Sequence, residues 1–200
     1  MVGDRMFDLD PDSRLQFAAK GPFENILQIG GGWCKLKDPT GNTKFTNADR
    51  KKTPGVDLVF DILDERWPIE DGVYDMVFAS HILEHIPIHK VVGVLQEARR
   101  VLRHTGVFVA EVPDIKGVFE ECLKGNWGLL EAVYGHDRYD GDQHRWGYLG
   151  PDLIVLLQVA GFDRTVLGPG KCYHKAQLPV LRVEATYYGS DNWTSEIEEN

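Results

Sequence analysis

Ile26-Leu27-Gln28-Ile29-Gly30-Gly31-Gly32 is the stretch that decides how this chain is read. A short, mostly apolar run ends on three glycines, and an acid, Asp49, stands 19 residues after the first of them. Such a run suits a strand buried on both faces of a parallel sheet, so Asn25–Ile29 is expected to be the first strand. Glycine admits positive φ and lets a ligand press against the backbone, where amide N–H groups can hold a carboxylate. Ligands of open α/β sheets bind beyond the carboxyl ends of the strands, where Gly30, Gly31 and Gly32 fall. A glycine triplet alone reads first as a tight turn; its weight comes from the acids at the ends of the next two strands.

Downstream, Trp33–Thr46 contains Pro39, Gly41 and Asn42 and lacks a 3.6-residue apolar period, so a loop is expected where a crossover helix usually lies. Lys44–Asp49 reads as the second strand, Val56–Asp61 as the third and Tyr74–Ser80 as a central one. His89–Leu102 is the best helix. Val91, Val94, Leu95, Ala98 and Leu102 share a face, and Arg99, Arg100 and Arg103 suit its negative end. Gly106–Val112 comes next as the fifth strand. Residues 115–150, aromatic and glycine-rich, predict short helices covering the sheet's edge. Pro151–Ala160 is a further helix, with proline in its first turn and Gly161 closing it. Phe162–Gly168 and Pro179–Tyr188 are expected to close the sheet as an antiparallel hairpin. The sequence therefore predicts an α/β domain with a mostly parallel sheet. Residues 1–22 read as a lead-in with the end of a short helix at Leu15–Lys20, and 191–200 as an acidic tail.

Two hundred residues, 42% hydrophobic and 26% charged, fit one globular domain of ordinary size. A net charge of −9 argues against a broad nucleic-acid footprint. Cys34, Cys122 and Cys172 are too few and too scattered for a disulfide framework or a paired-cysteine metal site. No basic-then-apolar leader and no membrane-length apolar run is visible, so a cytoplasmic protein with no membrane partner is expected.

The strand ends carry more than the triplet. Asp49 stands near the ~20-residue spacing of an acid that takes both hydroxyls of a ribose. Asp61, or the backbone of Ile62, is placed to meet an adenine. The pattern is not GxGxxG, and no helix comes after it whose N-terminus would hold a pyrophosphate. That tells against a dinucleotide and toward a ligand with one small anion, such as a methionine carboxylate.

Ile26–Gly32, Asn47–Asp49, Phe60–Ile62, Tyr74–Ile86, Glu97–Gly106, Val109–Asp114, Gln143–Tyr148 and Ala160–Phe162 together resemble class I S-adenosylmethionine-dependent methyltransferases of the type-11 group. The resemblance covers roughly residues 23–165 and implies a Rossmann-like sheet with its first crossover helix shortened or missing. It also implies a single domain over 23–190, with 115–150 as its cover or substrate segment. The cofactor it implies is S-adenosylmethionine. Gly30, Gly31 and Gly32 would hold the methionine part, Asp49 the ribose, Asp61 and Ile62 the adenine, and Ser80 and His81 the methyl-donor pocket. Two departures stand out: Gln28, where the family often has an acid, and the short first crossover.

The implied reaction is methyl transfer to a small-molecule or saccharide-like acceptor. The donor is already activated, so orientation comes first and a base is needed only if the acceptor must lose a proton. His81, His85, His136, His144 and Asp114 are the base candidates, with His81 and His144 preferred. Glu84 and His85 are read as orienting their loop, and Arg145 as a group that could read an anion. His81, His85 and His89 recur every four residues, but Pro87 interrupts any helix between them, and no metal is assigned. Trp33, Trp127 and Trp146 are expected in the core. Two other readings stand: a non-catalytic S-adenosylmethionine-binding sensor or partner subunit, and an enzyme using a nicotinamide cofactor.

Overall fold

The computed structural model describes residues 23–33, 35–36, 41–136, 138, 141–170 and 178–188. The lead-in, the tail, Cys34, Cys172 and Pro39 lie outside these residues. Seven strands form one sheet: β1 (Asn25–Ile29), β2 (Lys44–Asp49), β3 (Leu58–Val59), β4 (Tyr74–Ser80), β5 (Leu102–Pro113), β6 (Arg164–Pro169) and β7 (Val180–Thr186). Their order is β3-β2-β1-β4-β5-β7-β6, parallel from β3 to β5, with β7 antiparallel to both β5 and β6. The strand order reverses between β1 and β4, which opens the crevice that α/β sheets use for ligands.

Alternation divides the strands between two cores. Leu27, Ile29, Val77, Ala79, Phe108, Ala110 and Val112 face one side. There they pack with helices α1 (Ile88–Val101) and α4 (Gly150–Val159) through Val91, Val94, Leu95, Ala98, Leu153 and Leu157. Ile26, Met76, Phe78, Val107 and Val109 face the other side with Phe45 and Leu36. Two shorter helices, α2 (Ile115–Leu123) and α3 (Glu131–Tyr134), with a 3₁₀ turn at Trp127–Leu130, follow β5 and cluster through Val118, Cys122, Leu129 and Ala132.

No described residue between β1 and β2 is helical, and residues 34 and 37–40 of that crossover lie outside the described residues. The third strand is shorter than expected, two residues instead of six. The cause is Asp57, whose carboxylate accepts the Asn47 N–H at 2.8 Å and ion-pairs with Lys35 Nζ at 2.6 Å. A side chain there takes a place in the ladder that backbone would otherwise fill. The loop before β4 is held by side chains too. Trp67 is 1% exposed and donates through Nε1 to Ile62 O at 3.1 Å and through its main-chain N–H to Glu97 Oε2 at 2.7 Å. Arg100 grips Glu97 with two bonds of 2.7 and 2.6 Å and reaches Asp71 and Ile69 O.

One expectation about the core fails. Trp33, Trp127 and Trp146 are 75%, 59% and 45% exposed, and among the described tryptophans Trp67 is the buried one. The first three sit on turns and on the segment after β5, and no described residue buries them.

Candidate functional site

The carboxyl edge of β1, β2 and β4 gathers the expected ligand residues. Gly30 and Gly32 have φ of +65° and +49°, conformations that side chains disfavour. Gly31 is tight for a different reason: a Cβ there would run into Asn47 Oδ1 and Gln28 Nε2. Both are buried and tie the turn down. Gln28 Oε1 accepts the Leu36 N–H at 2.8 Å, and Asn47 Nδ2 donates to Gly32 O at 2.9 Å and Gly55 O at 3.0 Å. Gln28 thus keeps an acceptor in the place of the family's acid.

The turn is more committed than the sequence suggests. Gly30 N–H donates to Ala48 O at 2.8 Å, and Gly32 N–H to Asp49 Oδ2 at 3.0 Å. Of the three glycine amides, Gly31 alone makes no such bond among the described residues. Asp49 also accepts the Lys51 N–H through Oδ1 at 2.9 Å, which fixes its carboxylate over the turn. Each of its oxygens then has one protein donor and a lone pair remaining. Asp61 lies two residues past the end of β3 and accepts the Leu63 N–H at 2.9 Å. Ile62 is half-buried beside the core.

At the end of β4, Ser80 Oγ donates to Glu111 Oε2 at 3.2 Å, and His81 N–H to Glu111 O at 2.8 Å. His81 sits at φ +56°, rare for a residue with a side chain and common at functional turns. Its Nδ1 is 3.1 Å from Oε1 of Glu84, which is 1% exposed. A carboxylate only accepts, so the proton lies on Nδ1 and the lone pair on Nε2. Glu84 belongs to a 3₁₀ turn, Leu83–His85, that Pro87 separates from α1.

The 141–148 segment reaches the same place. Arg145 and Trp146 donate their N–H groups to Glu84 O at 2.7 and 3.2 Å. This puts His144 against His85, ring centroids 4.7 Å apart and the rings nearly perpendicular. Burial pushes the His144 pKa down, and the Glu84 charge and the Ala132 bond offset this only in part. Burial also pushes the Tyr148 phenol well up, helped by Glu84, while its hydroxyl donates to Leu83 O at 3.1 Å. Not every candidate joins this group. His136 is exposed and 3.8 Å from Glu131, His89 is exposed in the first turn of α1, and Arg145 is exposed. Asp114 bridges to Tyr148 through its backbone. Sequence reading undervalued Glu84, whose place between three histidines emerges only when residues 84 and 144 meet.

A methyltransferase-domain family matches residues 38–110. The described chain superposes on a methyltransferase from Archaeoglobus fulgidus with a TM-score of 0.58, at 14% identity, covering 82% of this chain and 86% of that one. The chain has the fold of class I S-adenosylmethionine-dependent methyltransferases, and the family match lies within it over residues 38–110. A second similar structure is 1,6-didemethyltoxoflavin-N1-methyltransferase of Burkholderia thailandensis with S-adenosylhomocysteine bound (TM-score 0.56, 16% identity, 83% of this chain and 71% of that one). A third is human N-acetylserotonin methyltransferase in complex with S-adenosylmethionine (0.54, 14%, 82% and 48%). A curated relative, sarcosine/dimethylglycine N-methyltransferase of Halorhodospira halochloris, is 31% identical over 110 residues, which are 46% of this chain. The chain spans 39% of that relative's length.

The residues fit the cofactor of this fold. The turn is packed against Ile82 at Gly30 and against Asn47 and Gln28 at Gly31, and it is open at Gly32, where a Cβ would stand 3.8 Å from Asp49 Oδ2. An open stretch of backbone at Gly32 thus adjoins the Asp49 carboxylate. Among the described residues no helix is long and apolar enough to cross a membrane.

Proposed function

We propose that this protein transfers a methyl group from S-adenosylmethionine to a small-molecule acceptor. The observation that carries the reading is the convergence of the glycine turn, Asp49 and Ser80–His81 on one sheet edge of a methyltransferase-like fold. Gly32 leaves room for the methionine part, and the Gly31 N–H is available to its carboxylate. The remaining lone pairs of Asp49 accept the ribose hydroxyls. Asp61 and Ile62 stand at the adenine end, and Ser80 and His81 border the methyl group.

When bound, the cofactor supplies a methyl group activated on a sulfonium, which the acceptor displaces in line. The protein's own contribution is to orient the acceptor and to take its proton where one must leave. His81 suits that task, because the buried Glu84 fixes its tautomer and leaves the basic lone pair on Nε2. The cover helices α2 and α3 and the 141–148 segment form the acceptor side. A small acceptor is supported by relatives named for one: sarcosine and dimethylglycine, a toxoflavin precursor, N-acetylserotonin.

The test is turnover. Incubation with methyl-labelled S-adenosylmethionine and a small-molecule extract is expected to give a labelled small product and S-adenosylhomocysteine. Removing His81 (His81→Ala) should slow the reaction by ~10²–10⁴-fold if the acceptor loses its proton in the rate-limiting step. Cofactor binding without any labelled product would favour the non-catalytic sensor instead.

A further inference from the structure

Glu84, His85 and His144 offer one donor atom each, all within 4.8 Å of one another. Three features make this more than a chance meeting of polar side chains. First, Glu84 is 1% exposed, and its Oε2 has no hydrogen-bond partner. A buried carboxylate oxygen with no donor is costly unless something positive meets it. His81 satisfies only the other oxygen, Oε1.

Second, both histidines are held in the tautomer that binds metal. His85 Nδ1 lies 3.2 Å from Gln143 O, and His144 Nδ1 lies 2.8 Å from Ala132 O. A carbonyl accepts, so each ring is protonated at Nδ1 and bears its lone pair on Nε2. Histidine ligands are commonly oriented in this way, with the second nitrogen donating to a main-chain carbonyl. Third, the site is braced between segments far apart in sequence, because the N–H groups of Arg145 and Trp146 bond Glu84 O. The turn carrying Glu84 and His85 and the segment carrying His144 therefore move as one.

We propose that Glu84, His85 and His144 bind a divalent transition-metal ion of the zinc or cobalt(II) kind. Two imidazoles and a carboxylate suit such borderline ions, not the all-oxygen sites of calcium or magnesium. The donor spread exceeds the roughly 3.4 Å separation of a filled tetrahedral site, so binding draws the side chains inward by about an ångström. Three protein ligands leave a position open for water or for an oxygen or nitrogen of a small molecule. This trio differs from the His81, His85 and His89 spacing visible in the sequence, since His89 is exposed on α1 and takes no part.

The claim does not depend on methyl transfer, and its test uses no cofactor. The full-length chain, stripped with a chelator, is titrated with zinc chloride in a calorimeter and with cobalt(II) chloride by visible absorption. One tight ion per chain is expected. Its affinity should fall at least 100-fold in His85→Ala and in His144→Ala and stay unchanged in His104→Ala, an exposed histidine at the start of β5. Circular dichroism confirms that the variants fold. If they do not, the wild-type cobalt spectrum decides. Bands of a nitrogen–oxygen site support the assignment, and a thiolate charge-transfer band would place the ion on cysteine and overturn it. Absence of binding, or binding that survives both folded histidine variants, would also overturn it.

Discussion

Replacing Gly31 by alanine tests the glycine turn most sharply, because the backbone at Gly31 is ordinary and only space is at issue. The added methyl would run into Asn47 Oδ1 and Gln28 Nε2 and lie 2.7 Å from Gln28 Cδ. Neither side chain can yield freely. Gln28 holds the Leu36 N–H, and Asn47 holds the carbonyls of Gly32 and Gly55, three bonds of 2.8 to 3.0 Å. At about 1 kcal/mol each, losing them costs on the order of 3 kcal/mol. Strain from overpacking adds on the order of 1 kcal/mol. That is a large share of the ~5–15 kcal/mol that holds a domain together. Urea unfolding of Gly31→Ala should show a lower midpoint with an unchanged slope. The control is Gly93→Ala, which lies mid-helix on the exposed side of α1 with nothing within 4 Å. It should be more stable than wild type by about 0.5–1 kcal/mol. A Gly31→Ala protein within about 0.5 kcal/mol of wild type would refute the close contact between the turn and its two amide side chains.

Other elements make separate predictions. Glu97→Ala removes the carboxylate that holds both Arg100 and the Trp67 N–H, and it should destabilise by about 3 kcal/mol, read by urea unfolding. Tyr148 stays protonated in the fold well above its ordinary pKa of 10.0, because burial raises it. The folded state then holds its proton where the unfolded state has lost one, so stability from this group is complete below pH 10 and falls above it. Melting curves between pH 9 and 11 should fall more steeply for wild type than for Tyr148→Phe.

Much of the fold was legible because its signals are local. The apolar run into Gly30, the alternation in Tyr74–Ser80 and the period of the α1 helix each need only neighbouring residues. Gly41 and Asn42 likewise announced the non-helical backbone described just before β2. What escaped depends on partners far apart in sequence. Asp57 shortens β3 by binding Asn47 and Lys35, which no pattern within Val56–Asp61 reveals. Gln28 looked like a defect beside the glycines, and its acceptor is used by Leu36. The tryptophans show the limit of residue type, since burial depends on what packs above a ring, and among the described tryptophans Trp67 alone is buried. The Glu84–His144 neighbourhood was hidden for the same reason.

The central claim is that the edge formed by Gly30–Gly32, Asp49 and His81 is a site for S-adenosylmethionine. Isothermal titration of the full chain with S-adenosylmethionine and S-adenosylhomocysteine tests it most directly, with NAD as the comparison. Both adenosyl ligands should bind one per chain, and NAD should give no heat. Asp49→Ala, which loses the ribose acceptors, should weaken both adenosyl ligands by roughly tenfold or more. No heat from either adenosyl ligand, or full affinity after Asp49→Ala, would contradict the account.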